Sequence, residues 1–254
     1  INSLPLPESS KEAALAGMNA VLQQYTPAEP DINTLYYKPE YTWSYEFGAH
    51  LNLADKALQV DVATFYMHTR DQQLARFAES GMGRVMVNAG RSRSCGVEAS
   101  LRSVLLSDRL QLAATYGYTD AVFTSYNLGS PAEGMPAIDY TDNRVPFVPA
   151  HTFSASADFR QPLRHTTFKA LSCGVDVRGA GSVVWDEANT FSQDFYANLA
   201  LRLGIELSGN VTLEAWGRNL TASRYATFSF DSMNHRFAQY NAPRHFGVDV
   251  KWRF

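Results

Sequence analysis

The sequence is poor in cysteine, in net charge and in long apolar runs. Its two cysteines, Cys95 and Cys173, stand far apart. They make neither a disulfide framework nor a zinc site, and read as unpaired strand residues that pack as small hydrophobes. The formal net charge of −3 is spread along the chain without a basic stripe, which argues against nucleic acid as a partner. Nowhere do the ~20 consecutive apolar residues of a membrane helix occur. That absence leaves strand spanning open, because barrel strands hide their apolarity in alternation. No HExxH, GxSxG, Walker-A or CxxC pattern is present, so neither an enzyme nor a cofactor is expected. No charged-then-apolar leader precedes Ile1. The expectation is that a leader was removed, or that the chain is part of a longer polypeptide.

What is abundant is aromatic side chains, with 13 Tyr, 15 Phe and 4 Trp, and apolar alternation with period two. Phe246, Val248, Val250, Trp252 and Phe254 alternate with Gly247, Asp249, Lys251 and Arg253. The same pattern runs through segments beginning at Leu58, Val97, Leu110, Phe153, Leu171, Phe195 and Val211. With a first strand near Thr42–Leu53, about nine strands are predicted. Helical spacing shows once, in Lys11–Tyr25, where Leu15, Met18, Val21 and Leu22 share a side.

Many of these strands exceed the 5–6 residues typical of soluble sheets and approach the ~10 of a membrane barrel. Their connections also alternate in length. Short turns are expected at Ala54–Lys56, Ser107–Arg109, Leu163–Thr166 and Ser208–Gly209, and long segments at Arg70–Val87, Ala121–Val145, Gly179–Gln193 and Ala222–Gln239. A soluble sandwich has no reason to sort its loops this way. An outer-membrane barrel has short turns on one side and long loops on the other. The fold class expected is therefore all-β, a portion of an antiparallel transmembrane barrel. Its apolar face meets lipid. Its polar face, with Asp61, Glu98, Arg102, Asp158, Arg160, Asp176, Arg178, Arg202, Glu214, Asp249 and Lys251, meets a wet lumen where opposite charges pair across strands. Tyr116, Tyr118, Phe159, Phe195, Trp252 and Phe254 are expected at strand ends, in the aromatic girdles. Cys95 and Cys173, on the third and sixth strands, would lie ~14 Å apart, too far for a disulfide.

Five segments carry a family resemblance. Ala242-Pro243-Arg244 leads into the alternating strand that ends at Phe254. Asn219-Leu220-Thr221-Ala222-Ser223-Arg224-Tyr225 is similar to an Asn-Leu-Phe-Asp-x-x-Tyr segment, with Thr221 and Ala222 departing from Phe-Asp. Val148-Pro149-Ala150-His151, Asn88-Ala89-Gly90 with Gly96-Val97-Glu98, and Lys38-Pro39-Glu40 with Tyr45-Glu46-Phe47-Gly48 complete the set. In this order, over roughly residues 36–254, they resemble the C-terminal part of TonB-dependent outer-membrane receptors. The resemblance implies a barrel of about 22 strands, an N-terminal plug with a TonB-binding segment that this sequence does not show, and a C-terminus on the periplasmic side of the outer membrane. Residues 1–40 become an extracellular-type loop bearing the helix, and 41–254 the barrel strands. Phe246, Val248, Val250, Trp252 and Phe254 resemble the insertion signal read by the barrel-assembly machinery.

The function implied is energised uptake of a scarce extracellular ligand, a ferric siderophore first among them. The partners implied are outer-membrane lipid, the TonB complex, the barrel-assembly machinery and the ligand. Aromatic residues beside arginine suit conjugated anionic chelates. The candidate ligand residues are Tyr126, Tyr140, Trp185, Phe228, Phe230, His235, Arg236, Tyr240 and Arg244. No metal site is assigned, since the single His of Asp231–His235 is a weak ligand set. The alternatives are a passive porin or structural barrel, and a soluble β-protein holding an apolar ligand.

Overall fold

The computed structural model describes residues 37–54, 57–77, 84–129, 136–232 and 235–254, together with Glu12 and Ala16. The helix expected over Lys11–Tyr25 lies outside the described residues apart from those two. In chain order the strands are β1 (Tyr41–Leu53), β2 (Leu58–Arg70), β3 (Gln73–Phe77), β4 (Arg84–Asn88), β5 (Arg91–Leu105), β6 (Leu110–Ser125), β7 (Asn127–Gly129), β8 (Ile138–Asp139), β9 (His151–Pro162), β10 (Phe168–Ala180), β11 (Val183–Val184), β12 (Ser192–Gln193), β13 (Tyr196–Leu207), β14 (Val211–Arg218), β15 (Ala226–Ser232), β16 (His235–Tyr240) and β17 (His245–Trp252).

Nine of them form one antiparallel sheet in the order β1-β2-β5-β6-β9-β10-β13-β14-β17. Each long strand pairs with the next long strand in the chain, so the sheet is a simple meander. Its strands of 8 to 16 residues include lengths that suit a tilted membrane crossing. The remaining eight strands pair as β3-β4, β7-β8, β11-β12 and β15-β16. One such hairpin sits in each long connection, a subdivision that alternation alone did not predict.

The short turns are held by residues in the left-handed region, at Ala54, at Leu106-Ser107-Asp108, and at Gly209-Asn210. Positive φ at consecutive residues matches the twist of the flanking strands in a tight hairpin. In the Leu163–Thr167 turn the His165 Nδ1 accepts from the N–H groups of Thr167 and Phe168, at 3.2 Å each.

Register lines up the alternating positions into two continuous faces. On one rung Val97 of β5 stands opposite Thr64 of β2 and Tyr118 of β6. Farther along the sheet, Ala157 meets Val175, Val175 meets Leu201, and Leu213 meets Val250. This face is apolar and exposed, with Phe47 at 77% and Val248 at 72%. A one-residue slip anywhere would reverse it. Such a surface is stable only against hydrocarbon.

The opposite face is polar and cross-linked between strands. Arg160 makes a two-pronged contact with Glu206, at 2.7 and 2.6 Å. Arg202 donates to Asp158 at 2.9 Å and Asp176 at 3.2 Å. Lys251 reaches Glu214 at 3.3 Å, and the Trp216 indole N–H donates to Asp249 at 3.2 Å. His50 pairs with Asp61, which also accepts from Ser100 at 2.8 Å. The pairing expected of the polar wall is thus present, both between neighbouring strands and, for Arg160–Glu206 and Arg202–Asp158, across β10 from β9 to β13. Cys95 and Cys173 are both free, on the third and sixth strands of the sheet.

The girdle prediction needs one adjustment. Phe159, Phe195 and Trp252 lie near strand ends, with Phe195 stacked on Phe153 at 5.8 Å. Tyr116 and Tyr118 lie mid-strand, because β6 keeps pairing with β5 as far as Ser125. The upper part of β6 is held by the loops, as Phe123 N–H donates to Asn143 O and Val145 N–H to Ala121 O.

Candidate functional site

Buried apolar side chains gather at the long-connection end. Ala89, Ala121, Phe123, Tyr126 and Val145 form one cluster, flanked by Leu74, Tyr140 and Val148. Val183, Trp185 and Ala226 form a second, flanked by Phe191. The first welds the base of the β7–β8 connection to β6. The second joins the connection bearing β11–β12 to the one bearing β15–β16.

Hydrogen bonds stitch three connections together. Asn143 Nδ2 donates to Glu187 O at 2.9 Å. Asn189 accepts from Arg144 N–H at 2.8 Å and returns a bond from Nδ2 to Arg144 O at 2.9 Å. Ala226 N–H donates to Gln193 Oε1 at 2.9 Å. Asp186 caps its own turn, accepting from Thr190 N–H and hydroxyl and from Phe191 N–H.

The base of the fourth long connection is organised by Asn219. Its side chain donates to Ser223 O and Ala242 O, at 3.0 Å each, and accepts from Ser223 N–H. It is 3% exposed with φ 52°, a conformation asparagine tolerates better than most residues. Tyr225 then stacks on Tyr196 at 3.6 Å. The Asn-Leu…Tyr segment read from the sequence is therefore a corner that closes the loop.

On this platform lies an open cleft of about 500 Å³, walled by Phe147, Trp185, Phe228 and Phe230, with Gln73, Asp186, Glu187 and Asp231 at its polar margin. Phe147 stacks on Phe228 at 5.8 Å and meets Trp185 edge-on at 5.6 Å. Phe230 stacks on Phe237 at 5.1 Å. Phe147 is held at φ 65° while its N–H donates to Val184 O. A phenylalanine in the left-handed region costs about 1–2 kcal/mol, and such strain gathers where side chains are aimed for function. The Trp185 indole N–H is enclosed without an acceptor among the described residues.

Of the nine candidates read from the sequence, Trp185, Phe228 and Phe230 come together in this cleft. Tyr126, 2% exposed, and Tyr140 meet edge-on at 5.4 Å within the first buried cluster. Arg236 grips Asp231 at 2.9 and 3.2 Å and lies over the Phe191 ring at 3.8 Å. Asp231 thereby pushes the guanidinium pKa up. Tyr240 carries Arg224 over its ring at 4.4 Å. His235 opens β16, opposite Ser232, and Arg244 is exposed in the corner before β17. Phe147 was missed as a lining residue because it falls between the long segment that ends at Val145 and the Val148-Pro149-Ala150-His151 strand start, and only its folded φ turns it into the cleft wall. The lining is also more acidic than the Arg-and-aromatic expectation. No group of three His, Cys, Asp or Glu side chains able to hold a metal occurs among the described residues.

A meander that is apolar outside and polar within, with every long connection at one end, defines part of a transmembrane β-barrel. The chain belongs to the TonB-dependent receptor family: residues 15–220 match the family model described as "TonB dependent receptor-like, beta-barrel". It is 27% identical over 214 residues to the pesticin receptor of Yersinia pestis, covering 83% of this chain and 29% of that protein. The ferric yersiniabactin uptake receptor of Yersinia pestis superposes with TM-score 0.69 at 25% identity, over 85% of this chain and 30% of that one. The siderophore receptor PiuA of Acinetobacter baumannii superposes with TM-score 0.65 at 21% identity, a likeness of fold. The chain thus spans less than a third of the length of the relatives it matches. Its family is one of outer-membrane β-barrels.

Proposed function

We propose that the chain supplies C-terminal strands to an outer-membrane importer of a ferric siderophore, with residues 41–254 as barrel and 1–40 as an extracellular-type loop. The remaining strands of a barrel of about 22, a plug and the TonB-binding segment belong to the rest of the receptor. The long connections face outward, which puts the C-terminus on the periplasmic side. The work done is binding and gating without bond chemistry. The observation that carries the reading is the aromatic cleft formed where the connections converge. Its stacked rings offer flat surface to a conjugated chelate. Among the sequence candidates, Trp185, Phe228 and Phe230 contact the ligand, and Phe147 joins them. Arg236, already neutralised by Asp231, shapes the wall. The relatives named as ferric-yersiniabactin and siderophore receptors support the same cargo class.

The test is uptake of radiolabelled iron, presented as siderophores, by iron-starved cells carrying the intact receptor. Uptake that collapses with an uncoupler, and that weakens about tenfold in affinity with Phe228→Ala, is expected. Uptake that survives the uncoupler and rises linearly with concentration would mark a passive porin and reject the proposal. The barrel-assembly machinery is tested separately: deleting Phe254 lowers the amount of receptor reaching the membrane.

A further inference from the structure

The outward face changes chemistry along its height in the β1-β2-β5 corner. The rungs, read across these three strands from the turn end, run Leu51-Val60-Leu101, Ala49-Val62-Ala99, Phe47-Thr64-Val97 and Tyr45-Tyr66-Cys95. The next two are Trp43-His68-Arg93 and Tyr41-Arg70-Arg91. Twelve residues separate Leu53 from Tyr41 on β1, a climb of ~30 Å at ~3.3 Å per residue and ~40° tilt. The apolar band of such a barrel is ~25 Å tall. The Trp43 rung therefore lies at the rim of the hydrocarbon, and the Arg70–Arg91 rung a few ångströms beyond it, at the depth of lipid headgroups.

On the outward face at that height the charge is basic apart from Asp120, while Glu40 and Asp71 stand just beyond the strand ends, next to Tyr41 and Arg70. Arg70 lies over the Trp43 ring at 5.2 Å, and His68 stacks on the same ring at 6.5 Å. Arg93 is paired with Asp120 at 2.9 Å, and Asp120 is the carboxylate that shares this face. Arg70 and Arg91 are exposed and have no carboxylate partner among the described residues. Farther round the sheet, the outward positions near the upper strand ends hold His151, Phe153, Gly179 and Ala197, none of them an arginine.

We infer that the outward corner formed by Arg70 and Arg91, above the Trp43 and Tyr66 rings, binds the phosphate of a lipid headgroup. A planar guanidinium suits phosphate oxygens with two parallel bonds, while the aromatic rungs below bed the first acyl segments. Arg70 and Arg91 are register partners on adjacent strands, so one corner offers two long cationic side chains to one phosphorylated headgroup. The inference rests on the membrane placement of the barrel and is independent of the imported cargo.

The experiment uses the intact receptor purified in a neutral detergent. Retention is measured by mass spectrometry after exchange with a phosphate-bearing lipid, with the same lipid stripped of phosphate, and with inorganic phosphate alone. Preferential retention of the phosphorylated lipid is expected, reduced about tenfold in the double variant Arg70→Gln/Arg91→Gln. Arg70→Lys/Arg91→Lys restores part of it, and Asp120→Asn, which releases Arg93, increases it. Equal retention of phosphorylated and stripped lipid, unchanged retention in the double glutamine variant, or equal affinity for inorganic phosphate would each overturn the inference. None of these readouts involves iron uptake, so failure here is distinguishable from failure of the transport reading.

Discussion

The nine-stranded sheet and the platform of connections above it solve opposite problems. The sheet keeps its large apolar residues exposed, as at Phe47, Val97, Leu203 and Val248, and its polar residues joined across the inner wall. The platform buries apolar residues among themselves, as at Phe123, Tyr126 and Trp185, and ties its segments with side-chain to backbone bonds. The sheet depends on lipid to satisfy its apolar face. The platform carries its own small cores and resembles a soluble protein at that end. A receptor needs both, since strands anchor the site and loops shape it.

The largest expected effect contrasts neighbours on β9. Ala155 faces outward, opposite Ala114 and Val177. Ala155→Arg puts a charge against lipid and lowers barrel stability by about 2–4 kcal/mol. The adjacent Ser154 faces the inner wall, where it bonds Thr115 at 2.7 Å, and Ser154→Arg costs about 1 kcal/mol. Denaturant unfolding in bilayers measures both, and equal costs would sink the assignment of faces.

Next comes the corner of the platform. Asn219→Ala removes the bonds to Ser223 and Ala242 and leaves a less tolerant residue at φ 52°. A loss of about 2–3 kcal/mol is expected. Proteolysis is expected to become faster in 222–244 while the sheet stays intact. Uniform loss across the barrel would contradict a local role.

The turn end responds less. Gly209 sits at φ 79° with open space around its Cβ position, so Gly209→Ala carries only backbone strain, about 1 kcal/mol, readable as a small shift in unfolding midpoint. A larger loss would mean that the turn packs against something.

The smallest effect is a pH response of the platform. Thr141, through its side chain and its N–H, holds the Asp139 carboxyl below its ordinary 3.8. A depressed carboxylate stabilises above its ordinary pKa, and that contribution disappears as pH falls through the lower, folded value. The Thr141 amide resonance is expected to titrate with a midpoint below 3.8 and to lose the transition in Asp139→Ala.

Much of the sheet was legible because alternation is a local property. Leu58-Val60-Val62 or Phe246-Val248-Val250 each declares a face without reference to any partner, and loop length sorts the ends. The site was less legible. Trp185, Phe228 and Phe230 were identifiable as aromatic residues in long connections, but so were Tyr126 and Tyr140, which fold into a buried cluster. Arg236 looked available for an anion, and Asp231, its partner across the hairpin, occupies it. Phe147 fell between a long segment and the strand-start motif that begins at Val148.

The amino-acid sequence by itself determined the strands, their two faces, the sorting of turns from loops and the family. Those follow from period-two patterning and short motifs that any nearby window reveals. The tertiary structure alone decided which loop residues share a cleft. The contacts that do so join distant segments, such as Asn143 to Glu187 and Gln193 to Ala226. No local pattern encodes that meeting, because it depends on register accumulated across successive strands and on backbone turns at Phe147, Asn189 and Asn219.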